Sequence, residues 1–215
     1  PCGPDNEWFY PRHDKPCGPN CGPDCGCGRY VEIGNDVYMQ YKKTAAGYEP
    51  LANKNVDTGF GLDRLLAFLN GVTDGYKTDL FMPVINYLEE KSGKKYDEDE
   101  EARKAMRIIA DHIRTSTMLI GDVNGIVPSN VGAGYILRRL LRRAIRYARK
   151  LGVEMTALTD VSKIFIEKIY DEAYPLLVEK EDYVISEIAK ETAKFETTLA
   201  TGLKEFNKCV EGIER

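Results

Sequence analysis

The stretch Asn55-Val-Asp-Thr-Gly-Phe-Gly-Leu-Asp-Arg64 leaves the chain few ways to fold. A β-type run leads into two glycines one residue apart, and a helix then opens with an acid and an arginine. Leu62, Leu65, Leu66 and Leu69 form its apolar stripe, which stops at Asn70-Gly71. Gly59 and Gly61 lack Cβ, so a flat ligand can lie against the backbone there. Arg64 falls in the first helical turn, and its planar, permanently charged fork suits a triphosphate or an adenine face. Taken alone, Gly-x-Gly-x-x-Arg also describes an ordinary strand-to-helix turn.

A net charge of −4 conceals a strong asymmetry. Residues 1–102 carry 11 basic and 18 acidic side chains, a local −7. Residues 103–150 carry 11 basic and 2 acidic, a local +9, and residues 151–215 carry 8 and 14, a local −6. A +9 segment inside an acidic chain calls for a polyanion, RNA first among them, or else it is a solvated helix face. No apolar run approaches a membrane span, and no signal peptide is visible. The chain starts at Pro1 without Met and reads as a piece of a longer protein.

Arg29 to Tyr41 reads as a strand, Lys42 to Pro50 as a polar hairpin-like turn, Leu51 to Gly59 as the next strand and 61–70 as a helix. The polar run 91–101 lacks periodicity and marks a domain boundary, giving domains 1–98 and 99–215. Beyond it the pattern is helical over 102–121, 134–151, 156–178 and 181–211. The expected class is α+β: a partial antiparallel sheet followed by an all-α bundle.

Four cysteines fall within Pro16-Cys-Gly-Pro-Asn-Cys-Gly-Pro-Asp-Cys-Gly-Cys-Gly28, inside a knot spanning 15–28. Cys17, Cys21, Cys25 and Cys27 supply a soft, thiolate shell for a tetrahedral metal, with zinc the expected ion. Two other readings stay open: His13 replacing one cysteine, or free or disulfide-bonded thiols. A long remainder without paired cysteines or a secretory signal points to a reducing, cytoplasmic compartment.

Five segments carry a resemblance. The 55–64 stretch resembles motif 3 of the class II aminoacyl-tRNA synthetases, in the form found in alanyl-tRNA synthetases. Val31-Glu-Ile-Gly-Asn-Asp-Val-Tyr-Met-Gln-Tyr41 resembles the strand before it, and Pro1-Cys-Gly-Pro4 an upstream signature. Ala110-Asp-His-Ile-Arg-Thr115 and Gly134-Tyr-Ile-Leu-Arg-Arg-Leu-Leu-Arg-Arg-Ala-Ile-Arg146 resemble the family's tRNA-recognition region. The resemblance spans most of the chain in matching order, and some alanyl-tRNA synthetases carry a similar cysteine-rich insertion.

The resemblance implies ATP-dependent attachment of alanine to tRNA(Ala) through alanyl-adenylate. It assigns Asp57 and Arg64 to catalysis. ATP binding falls to Gly61, Arg64 and Glu32, the last through Mg2+. Alanine binding falls to Asn35, Val37, Asp57 and Gly59. The tRNA acceptor stem falls to Asn130, whose family counterpart touches a G·U pair, and to Arg138, Arg139, Arg142, Arg143 and Arg146. Two positions depart from the pattern: Gly34 stands where the family usually has Trp, and Ala133 where it often has Arg. Motifs 1 and 2 and the editing and C-terminal parts would lie outside this chain, which alone is expected to be inactive. A non-catalytic RNA-binding paralogue is the alternative. His112 reads as a packed structural histidine.

Overall fold

The computed structural model describes residues 1–213. Two compact units divide at Thr78/Asp79. Their fold class is α+β, as expected: a three-stranded antiparallel sheet precedes a set of helices.

The first unit holds β1 (Asp5–Pro11), β2 (Tyr30–Thr44) and β3 (Gly47–Phe60), with β2 central, followed by α1 (Leu62–Leu69). The β-branched and aromatic residues of β2 favour a pleated, half-buried strand. The polar segment 42–50 is a hairpin, as expected, with strand pairing carried along both arms. Lys42 pairs with Glu49 across the strands at 3.5 Å, and the ladder runs on to Thr44↔Gly47. Opposite charges directly across a ladder stabilise it, so only Ala45 and Ala46 are left to turn. β3 carries the surplus instead: pairing jumps from Tyr41↔Pro50 to Met39↔Asn55.

Pro1-Cys-Gly-Pro4 lies flat against β2. Cys2 N donates to Tyr41 O at 2.8 Å, Gln40 N to Cys2 O at 3.0 Å, and Tyr38 N to Pro4 O at 2.9 Å. A Cβ on Gly3 would stand 1.7 Å from Tyr38 O, so only glycine allows this approach. α1 starts where Gly61 N donates to Ile33 O at 2.9 Å. It packs back onto the sheet through Phe68, whose ring centroid is 5.0 Å from that of Tyr10.

The second unit contains α2 (Met82–Ser92), α3 (Glu100–Gly121), α4 (Gly132–Leu151), α5 (Ala157–Ile164), α6 (Pro175–Glu179) and α7 (Glu181–Ile213). α3 and α4 form its most extensive pairing. Met106, Ile109, Ile113, Leu137, Leu141 and Ile145 are fully buried, as are Leu158 and Phe165 and, from α7, Val184 and Ile188. The Asp99 carboxylate caps α3 by accepting from Ala102 N at 2.9 Å.

Two sequence expectations differ here. The helix expected over 156–178 is broken: α5 runs into a π turn at Phe165–Ile169, and Pro175 then opens α6. Proline lacks an N–H and disfavours helical backbone before it, so the chain must break and restart. The polar run 91–101, read as a boundary, is tied into the second unit. Tyr96 is buried, its N donates to Glu89 at 2.7 Å, and its hydroxyl accepts from Arg107 Nε at 2.6 Å. α2, which the sequence reading leaves unassigned, packs on α3 and α5. No helix among the described residues is long and apolar enough to cross a membrane.

Candidate functional site

The sheet gathers the residues that motif 3 singles out. Asn35 lies opposite Gly59, and Val37 opposite Asp57. Alternate residues of a strand share a face, and so do cross-strand partners, so these four line one side of the sheet. Asn35 Oδ1 lies 3.5 Å from the place a Cβ on Gly59 would occupy. Simple alternation would send Glu32 to the opposite side. It does not, because the ladder slips: Trp8 pairs with Gly34 but Phe9 pairs with Glu32, leaving Ile33 as the extra residue of a β-bulge. A bulge re-aims the strand beyond it. Glu32, opposite Phe9, thus joins the face of Asn35, which is opposite Glu7.

Arg64 reaches the same place from the first turn of α1. Its Nη1 donates to Glu32 O at 3.0 Å and lies 3.7 Å from Glu32 Oε2. Both side chains remain substantially exposed, at 58% and 36%. Such a pair is screened by water and holds little energy, so either group is free to exchange its partner for a ligand.

The other face accounts for Gly34. A Cβ there would meet Phe60 Cδ1 at 2.5 Å and Gly59 O at 2.6 Å. Trp8 stands directly across the ladder from the same glycine. The Phe60 ring takes up the space that a side chain at position 34 would need. Sequence reading missed the supporting residue here, Asp36. Its carboxylate accepts from Thr58 Oγ1 at 2.6 Å and from Trp8 Nε1 at 2.9 Å. Those bonds, Thr58's first, hold its pKa below the usual carboxylate value. Its signal was its place between Asn35 and Val37, on the alternating side.

The cysteine knot connects β1 to β2. It is built from a repeated Cys-Gly-Pro-Asx unit, and each unit closes a turn: Cys21 N donates to Gly18 O at 3.2 Å and Cys25 N to Gly22 O at 3.0 Å. Proline followed by Asn or Asp suits the two central positions of such turns. The four sulfurs lie within 4.8 Å of one another, with Cys17 and Cys25 at 3.4 Å and Cys21 and Cys27 at 3.9 Å. Sulfurs bound tetrahedrally to one ion at about 2.3 Å would stand about 3.8 Å apart, so this donor set fits a metal.

The thiols divide their protons unevenly. Cys17 is pushed up to about 12, chiefly by its hydrogen bond with Cys25, while Cys25 is lowered by that bond. Cys21 is drawn down to about 7, first by the Cys17 backbone and further by Arg29. Arg29 ties the knot's base, donating to His13 O at 2.9 Å and Asp14 O at 3.0 Å, with Nη1 3.8 Å from Cys21 Sγ. His13 meets Arg29 through its backbone carbonyl.

The basic helix is α4. Leu137, Leu141, Ala144, Ile145, Ala148 and Leu151 are buried, while Arg139, Arg143, Arg146 and Arg149 are exposed. Among the described residues no salt bridge engages Arg139, Arg143 or Arg146. Arg142 differs: its Nε donates to Glu191 at 2.6 Å, and its guanidinium lies 4.8 Å from the centroid of Phe195. Arg138 donates to the side-chain oxygen of Asn130. His112 is 8% exposed, with Nδ1 3.0 Å from an Asp111 carboxylate oxygen and a buried Nε2 that has no hydrogen-bond partner among the described residues.

The family model described as tRNA synthetases class II (A) matches residues 1–215. The chain belongs to this family. Its relatives include the alanine–tRNA ligase of Borrelia hermsii, 45% identical over 99% of this chain and 36% of the relative. That of Treponema pallidum is 42% identical over 100% of this chain and 36% of its own length. That of Desulfosudis oleivorans is 41% identical over 99% of this chain and 24% of its own length. The chain therefore spans between a quarter and about a third of the class II synthetases it matches.

Proposed function

We propose that this chain forms the amino-acid side of the activation site, and the RNA-recognition helices, of an alanine–tRNA ligase. The observation that carries this reading is the shared sheet face: Asn35, Val37, Asp57, Gly59 and Glu32 together, with Arg64 at its edge. Asp57 would hold the α-ammonium of alanine through a charge-assisted hydrogen bond. Asn35 and Val37 would bound its short side chain, and the bare Gly59 backbone leaves room beside them. Glu32 would hold a Mg2+ that offsets the charge of the ATP phosphates, while Gly61 and Arg64 would receive the nucleotide. The alanine carboxylate attacks the α-phosphate, giving alanyl-adenylate and pyrophosphate. A ribose hydroxyl of tRNA(Ala) then displaces AMP. Neither step needs a protein base, so positioning and charge neutralisation dominate. The motif 1 and motif 2 residues, and the editing and C-terminal parts, would come from the rest of the enzyme.

Arg139, Arg143 and Arg146 would track the phosphates of the acceptor stem, and Asn130 would meet a base edge. Arg138 and Arg142, engaged within the unit, would act on RNA indirectly. The unpaired cysteines fit a reducing, cytoplasmic compartment.

In the full-length enzyme, Asp57→Ala is expected to weaken alanine by roughly 2–4 kcal/mol and to leave ATP binding intact. Alanine-dependent pyrophosphate exchange measures this. An unchanged KM for alanine would make Asp57 a strand-end residue and withdraw the assignment.

The knot is assigned to structural zinc, with Cys17, Cys21, Cys25 and Cys27 as ligands and Arg29 offsetting their charge. Binding would displace the remaining thiol protons. Purified protein is expected to hold about one zinc per chain, at Zn–S distances of about 2.3 Å. Metal-free protein whose four thiols all titrate freely in the folded state would refute it.

A further inference from the structure

Asn130 stands exposed at the tip of the turn joining α3 to α4. The turn is braced from inside. Ser129 N donates to Gly134 O at 3.0 Å, and Ser129 Oγ donates to Val131 O at 2.9 Å. Gly134 admits no side chain, since a Cβ would stand 2.4 Å from Ser129 Oγ and 2.5 Å from Val127 O. Above this turn the Asn130 side chain has one hydrogen-bond partner among the described residues, Arg138 Nη1. Arg138 is itself held, with its guanidinium 5.4 Å from the centroid of Tyr135.

A guanidinium carries donors and no acceptor. The amide atom facing it must therefore be the oxygen, however the two ends of an amide are assigned. The amide nitrogen, with two N–H groups, is left facing away from Arg138.

We propose that Arg138 is a positioning residue that fixes the polarity of Asn130, so that position 130 donates to acceptors on a minor-groove base edge. The inference rests on the RNA reading above and adds the direction of the hydrogen bond. The acceptors on that edge are purine N3 and pyrimidine O2, and the one base donor is the guanine amino group. An amide turned this way binds the former and is indifferent to the latter.

The test uses this chain and three acceptor-stem RNA hairpins, read by fluorescence anisotropy. One carries the G·U pair. The second replaces that guanosine with 3-deazaguanosine, removing N3, and the third with inosine, removing the amino group. The 3-deaza hairpin is expected to bind about tenfold more weakly and the inosine hairpin within about twofold of the parent. Asn130→Asp keeps the contact with Arg138 and turns the outward group into an acceptor. The preference is then expected to invert, with inosine weakening binding and 3-deazaguanosine not. Each ratio is taken within one protein, so general repulsion by the added charge cancels. Arg138→Gln can face the amide with either end of its own, and both ratios are expected to move toward one.

Wild-type sensitivity to inosine alone, equal binding of all three hairpins, or unchanged ratios in Arg138→Gln would each overturn the proposal while leaving the RNA reading standing. Absence of salt-dependent binding to any hairpin would remove that reading and this inference together.

Discussion

Arg142→Ala is expected to cost about 3 kcal/mol of folding stability, within the range for deleting one partner of a buried ion pair. Glu191 is only 6% exposed, and Arg142, 26% exposed, is its partner at 2.6 Å. Truncation leaves a carboxylate facing a low-dielectric interior and strips the guanidinium from the ring of Phe195. For a chain of this size the melting temperature is expected to fall by about 10 °C. Adding Glu191→Gln should return part of the loss, because an uncharged amide is cheaper to leave buried. By contrast, Arg146→Ala, on an exposed position of the same helix, should leave the melting temperature unchanged and weaken RNA. An unchanged melting temperature for Arg142→Ala would return that arginine to the solvent-facing set.

Gly3→Ala is expected to detach the first four residues from β2. The added methyl would stand 1.7 Å from Tyr38 O, and a strand carbonyl cannot move aside. Relief requires breaking the bonds that Cys2 and Pro4 make with Tyr38, Gln40 and Tyr41. At about 1 kcal/mol net for each hydrogen bond, the loss of these bonds comes to about 4 kcal/mol. Hydrogen exchange at the Tyr38, Gln40 and Tyr41 amides reads it directly. Protection equal to that of the parent would mean the segment had found another path.

Much of the sheet unit was legible because its signals are local. The glycines and Arg64 of motif 3 mark a strand-to-helix turn wherever they occur, and the observed α1 starts within one residue of the expected place. Other features depend on pairing. Residues 42–50 read as hairpin-like, but how far the ladder runs into them rests on register, since Lys42 and Glu49 support it only once they stand opposite each other. The side of the sheet on which Glu32 falls depends on Ile33 being left out of the register with β1, which alternation along one strand cannot reveal.

The same limit applies to the helices. Helical spacing along α4 sets its buried leucines and alanines apart from its arginines. It could not separate Arg142 from Arg139, Arg143 and Arg146, because Glu191 arrives from α7, 49 residues on. Nor could it show that Asn130 has a side-chain partner, since Arg138 comes within reach only when the turn and the first helical turns of α4 are both formed.

The bulge at Ile33 gives β2 two independently phased segments. From Gly34 onward the strand is keyed to β3 through Asn35↔Gly59 and Val37↔Asp57; before it, the strand is keyed to β1 through Glu32↔Phe9. Deletion of Ile33 would close the bulge and leave both keyings in place, since plain alternation then carries Glu32 to the Asn35 side. The pairing with Phe9, and not the length of β2, therefore sets where the Glu32 carboxylate falls, and the extra residue contributes local twist that a shortened strand would lose.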